Sequence, residues 1–179
     1  MDGQLPRSGF SLVEVIVAIA VIAIACAMGA PSLRNSLLDA RRVAAVNEFM
    51  HSLYKARSDS LLKAEFVALC PSRTLERCDS SPPRWQEGWI AFVDRDHSRL
   101  PNVDPGEEIL ERHPALTGIQ VTANRDALVF RNDSFTGTTA SFVFCDARGA
   151  RFARAIIVSQ SGRPRLSESD AYGQPLKCN

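Results

Sequence analysis

The chain has 179 residues, 45% of them hydrophobic, and a formal net charge of +1, which suits one globular domain plus an elongated element. So even a balance excludes a partner captured by overall charge, and any electrostatic site must be a local cluster. A single long apolar stretch, Phe10 to Ala30, excludes a multi-span membrane protein and predicts one membrane segment followed by one domain.

At the N-terminus, Arg7-Ser8-Gly9-Phe10-Ser11-Leu12-Val13-Glu14 stands directly before the apolar run. A conventional secretory signal places its small-residue cleavage site after its apolar core. Here Gly9 precedes the core, so a cut there leaves the hydrophobic helix on the mature protein. Glu14 lies inside the spanning segment, where an ionised carboxylate costs about 2.5–3.5 kcal/mol and calls for a partner. The plain alternative is a signal anchor with a stray glutamate near the interface.

These residues resemble the class III leader of type IV prepilins and pseudopilins: a short leader with a basic residue, glycine before the cut, phenylalanine after it, glutamate at the fifth mature position. Pro31 falls at the twenty-second mature position, where many of these proteins carry a helix-kinking proline. The resemblance implies cleavage between Gly9 and Phe10 by a prepilin peptidase, and N-methylation of Phe10. It also implies that Glu14 pairs with the N-terminal amine of a neighbouring subunit during filament assembly. A carboxylate and an ammonium buried together cost far less than either alone.

Helical periodicity continues beyond Pro31. Val46, Phe49, Met50, Leu53 and Ala56 form an apolar stripe, leaving Arg41, Arg42, Asn47, Glu48 and Lys55 for other faces. The predicted helix runs from about Ser11 to about Leu62, with residues 10–30 as its membrane or filament-core half and 31–62 as its amphipathic half. Residues 1–9 are the leader and 63–179 the head.

From Glu65 onward the pattern changes to short strands between turns. Candidates are Phe66–Cys70, Trp89–Asp94, Glu108–His113, Ile119–Ala123, Ala127–Arg131, Ser141–Cys145 and Ala153–Ser159. The predicted class is therefore α+β, one long N-terminal helix packed on an antiparallel sheet. Four cysteines in this region, Cys70, Cys78, Cys145 and Cys178, read as two disulfides in an oxidising compartment. Three pairings are possible. Cys70–Cys78, closing a short loop, and Cys145–Cys178, tying down the C-terminus, are the favoured pair. No C-x-x-C spacing supports a zinc site.

The head resembles the GspH/FimT group of minor pilins and pseudopilins. The residues carrying that resemblance are Ala68-Leu69-Cys70-Pro71-Ser72, Gly88-Trp89-Ile90-Ala91-Phe92-Val93-Asp94 and Ser161-Gly162-Arg163-Pro164-Arg165-Leu166.

No catalytic set emerges: His51, His97 and His113 belong to no nucleophile or metal motif, so neither an enzyme nor a cofactor is expected. The run Asp94-Arg95-Asp96-His97-Ser98, with Asp104, Glu107 and Glu108, has oxygen ligands spaced somewhat as calcium wants. Yet Arg99 stands where an EF-hand needs glycine and Pro105 where it needs glutamate, so a solvated hairpin turn is expected, without metal. Between Cys145 and Leu166 lie Arg148, Arg151, Arg154, Arg163 and Arg165 against Asp146 alone, five cations less one anion. Arginine's planar fork suits phosphate. Gly162 allows a tight turn, and Pro164 keeps Arg163 and Arg165 extended and on one side. Gly162-Arg163-Pro164-Arg165 also matches the GRxR motif of FimT-type minor pilins. This resemblance implies non-specific DNA binding for natural transformation, with other pilins as filament partners, and the inner membrane, periplasm and then surface pilus as location. A purely structural minor pilin and a type II secretion pseudopilin share the same N-terminus and stay open as alternatives.

Overall fold

The computed structural model describes residues 11–79, 81–97, 101–133 and 139–178. Gly9 and Phe10, and with them the expected cleavage site, lie outside the described residues, as do Ser98 and Arg99. The chain divides into two compact units, Met1–Asp39 and Ala40–Asn179.

The first unit holds the opening of helix α1, Leu12–Lys63. Ser11 starts the helix: its Oγ accepts the Glu14 N–H at 3.2 Å, satisfying one of the donors that a helix N-terminus leaves unpaired. Serine followed three residues later by glutamate is the capping-box pattern. Leu12, Ile16, Ile19 and Ile22 are exposed on this part of the helix. So many open aliphatic side chains suit lipid or a protein neighbour better than water. Among the described residues, α1 is the one helix long and apolar enough to cross a membrane.

In the second unit the remainder of α1 supplies a stripe to the core. Ala45, Val46, Phe49, Leu53 and Ala56 are buried, and Met50 packs beside them. Phe49 is central, its ring 5.4 Å from Trp85, 5.0 Å from Trp89, 4.7 Å from Phe142 and 5.6 Å from Phe144. Burying one such side chain contributes about 1.5–3 kcal/mol. One residue expected on an outer face is not there: Arg42 is buried.

The strands form the expected antiparallel β head, divided into two four-stranded sheets. The first has the order β3-β2-β1-β5, with β1 Val67–Pro71, β2 Trp89–Val93, β3 Ile109–His113 and β5 Leu128–Phe130. The second has the order β4-β6-β7-β8, with β4 Gln120–Ala123, β6 Ala140–Cys145, β7 Arg154–Val158 and β8 Pro164–Ser167. Side-chain alternation divides each sheet into an inner and an outer face. Phe142, Phe144, Ile156 and Val158 face the main core. On the other side Cys145, Ala155 and Ile157 meet Leu176 and Cys178 of the C-terminal tail. Likewise Ala68, Cys70, Ile90 and Phe92 turn away from the main core toward Leu75, Cys78 and Val103. A disulfide pins each covering segment: Cys70–Cys78 over the first sheet and Cys145–Cys178 over the second.

Candidate functional site

The turn from β7 into β8 is built by backbone. Gly162 sits at φ +70°, where a side chain is disfavoured, and its N–H donates to the Ser159 carbonyl at 2.9 Å. The Ser159 N–H donates to the Arg163 carbonyl at 3.2 Å, which closes the turn. Pro164 opens β8, an edge strand in register with Val158, so its missing N–H leaves no gap inside the sheet. Pro164 is buried, and Arg163 and Arg165 on either side of it are exposed. Neither guanidinium has a hydrogen-bond or ion-pair partner among the described residues. Tyr54 of α1 donates its hydroxyl to the Pro164 carbonyl at 3.2 Å, linking the arginine strand to the helix.

The other three arginines stand elsewhere. Arg148 and Arg151 belong to the turn between β6 and β7, and Arg154 opens β7. Arg163 follows the far end of β7, about 13 Å away along the strand at 3.3 Å per residue. The fold thus separates into two groups what the linear sequence places in one. Within the first group, Arg148 is a structural cation. Its side chain is 12% exposed, its Nη2 lies 2.7 Å from Asp146 Oδ2, and its guanidinium covers the Phe152 ring at 4.2 Å. The Arg148 hydrogen bonds, opposed by burial, hold the Asp146 carboxyl below the usual carboxylate range. Arg42 of α1 reaches the same carboxylate at 3.8 Å and donates to the Phe152 carbonyl, clamping this turn to the helix. Arg154 pairs with Glu168 at 2.9 Å, whereas Arg151 is exposed.

The acidic hairpin brings Asp94, Asp96 and Glu107 within 4.8 Å of one another. Glu107 closes the loop, accepting the Arg95 N–H at 2.7 Å and the Asp104 N–H at 2.9 Å. Burial pushes the Asp94 carboxyl up to about 6, reinforced by its hydrogen bond with Asp96.

Sequence reasoning missed three of the positions that hold these elements in place. Ser11 was legible from the capping-box spacing. Arg42 gave no signal, because a long cation on an amphipathic helix ordinarily faces water. Tyr54 gave none either, because its partner is a backbone carbonyl 110 residues away.

A long N-terminal helix followed by a head of two antiparallel sheets defines a pilin-type protein. The family described as Type II transport protein GspH matches residues 45–162, and the prokaryotic N-terminal methylation motif matches residues 6–30. The chain belongs to the GspH family, a minor pilin or pseudopilin of a type IV pilus or type II secretion system. The type IV minor pilin FimU of Pseudomonas aeruginosa has the same fold in two crystal forms. The first is 17% identical with a TM-score of 0.56, covering 82% of this chain and 98% of FimU. The second is 18% identical, also at 0.56, covering 76% and 98%. The minor pseudopilin EpsH of the Vibrio cholerae type 2 secretion system is 11% identical at a TM-score of 0.48, covering 71% and 96%. No curated protein matches the chain.

Proposed function

We propose that this chain is a minor pilin of a type IV pilus that binds extracellular DNA without sequence specificity, for uptake in natural transformation, and contributes to pilus assembly. The observation that carries the reading is the pair Arg163 and Arg165, exposed and uncompensated on one side of a strand whose turn and helix contact fix its position. Guanidiniums so placed displace counterions from a phosphate backbone, a driving force blind to sequence. Gly162 acts by shaping the turn. Arg151 extends the basic surface at the other end of β7, Arg154 beside it is neutralised by Glu168, and Arg148 holds the turn that presents them.

Assembly belongs to the N-terminus. Cleavage by a prepilin peptidase between Gly9 and Phe10, methylation of Phe10, and pairing of Glu14 with a neighbour's terminal amine would carry the subunit from the inner membrane into a surface filament. The family description favours a second reading, a pseudopilin of a type II secretion system.

In cells of the source organism lacking this gene, complementation with Arg163→Ala/Arg165→Ala separates these readings. The DNA reading predicts pili and twitching restored and DNA uptake lost. Uptake restored as fully as by wild type contradicts it. Loss of protein secretion with pili intact in the deletion strain would support the pseudopilin.

A further inference from the structure

The C-terminal tail lies on the same face of the second sheet as Arg165. Strand register sets that face: Ser141 stands opposite Ile157 and Ile157 opposite Arg165, while Ala155 stands opposite Ser167. Residues in register across a sheet share a face, as do residues two apart along a strand. Arg165 therefore projects beside Ile157, on the side where Cys145, Ala155 and Ile157 meet Leu176 and Cys178. Arg163, two residues earlier along the extended chain, belongs to the same side. Glu168, two residues past Leu166, turns to the opposite face and pairs there with Arg154.

Three anchors fix the path of the tail. Pro175 bridges to Ser169 just past the end of β8, and Leu176 is buried with Ala155 and Ile157. Cys178 is then bonded to Cys145 of β6. Between these two inward-facing residues stands Lys177, exposed and without a hydrogen-bond or ion-pair partner among the described residues. Alternation along the extended tail points it to the solvent side of the face that carries the arginines. From Arg163 to Ser169, beside which the tail crosses, the chain spans at most roughly 20 Å at 3.3 Å per residue. The acids nearby are engaged: Asp146 with Arg148, Glu168 with Arg154, and Asp170 with the N–H groups of Tyr172 and Gln174.

Duplex DNA carries one negative charge per about 1.7 Å of axis, so a face of this length meets more phosphates than two arginines can use. Resting on the reading of Arg163 and Arg165 as phosphate ligands, we propose that Lys177, held on their face by the Cys145–Cys178 disulfide, is a third phosphate contact. An ammonium acts as a point charge and needs no fixed fork geometry, which suits a contact carried by a tail.

The test is duplex DNA binding over a salt series, read by fluorescence anisotropy of the full-length chain in detergent micelles. Lys177→Ala should weaken binding at least about threefold at low salt and reduce the slope of log affinity against log salt by about 0.9. Lys177→Arg should keep the wild-type slope. Cys145→Ser/Cys178→Ser, which frees the tail, should lose as much slope as Lys177→Ala although Lys177 is retained. Arg77→Ala removes an exposed cation from the loop over the first sheet and should leave the slope unchanged. Tryptophan fluorescence of the buried Trp85 and Trp89 checks that each variant is folded. Lys177→Ala, at an exposed position, decides the matter whether or not the serine variant folds. An unchanged slope in Lys177→Ala overturns the proposal. An equal loss in Arg77→Ala also overturns it, by making the effect one of net charge. If Arg163→Ala/Arg165→Ala lowers the slope and Lys177→Ala does not, the DNA reading stands and the third contact falls. Absence of wild-type binding at low salt overturns both.

Discussion

Two aspartates of the head show how surroundings, more than residue type, set what a charge does. Asp146 is ringed by donors from Arg148 and Arg42, so its anion is favoured in the folded state. Its contribution is present above the ordinary carboxylate value and lost as pH falls below it. Asp94 is the opposite case, buried beside Asp96 and Glu107, with its carboxyl pushed up to about 6 from 3.8. Between those values the folded chain holds a proton that the unfolded chain releases, so stability falls as pH rises through that window. Asp94→Asn keeps an oxygen for the His97 N–H and removes the titration. Urea midpoints followed by tryptophan fluorescence should therefore drop less between pH 4 and pH 6.5 in the variant than in wild type; parallel curves would contradict this assignment. Neither environment was legible beforehand. In the sequence Asp146 was one negative charge to subtract from five arginines, and only the fold shows that it neutralises Arg148 in particular.

Secondary elements were more legible where the signal is local. The α1 stripe of Val46, Phe49, Leu53 and Ala56 faces the core as its periodicity implies, and the helix ends at Lys63 beside the expected Leu62. Strand β8 was not anticipated as a strand. Pro164-Arg165-Leu166-Ser167 has too little alternation to declare itself, and pairing with β7 and the Tyr54 contact supply what local propensity lacks. Nor could the division into two sheets be read from the strands singly, since partner choice is a tertiary property. The covering segments, in contrast, announce themselves through cysteine. Cys145–Cys178 closes a separation of 33 residues and Cys70–Cys78 one of 8. Chain-entropy reasoning assigns them about 4 and about 2.5 kcal/mol. Cys145→Ser/Cys178→Ser is therefore expected to destabilise the head more than Cys70→Ser/Cys78→Ser in urea unfolding. It also frees the tail that covers Ala155 and Ile157. The reverse order would show that local packing outweighs loop closure.

Across the whole molecule, chemistry is divided by position along the chain. The apolar opening of α1 carries the methylation motif and suits membrane and filament, while the head offers a charged edge strand on a chain whose formal net charge is only +1. With so little global charge, DNA affinity has to come from a few local phosphate contacts, and that makes the central claim measurable. The decisive measurement is binding of the detergent-solubilised full-length chain to duplex DNA over a salt series, with Arg163→Ala/Arg165→Ala alongside. Wild type should show log affinity falling linearly with log salt, and the double variant should bind more weakly with a slope smaller by about 2, close to 0.9 for each lost phosphate contact. No binding at low salt, or an unchanged slope in the variant, would contradict the assignment of this edge strand to DNA.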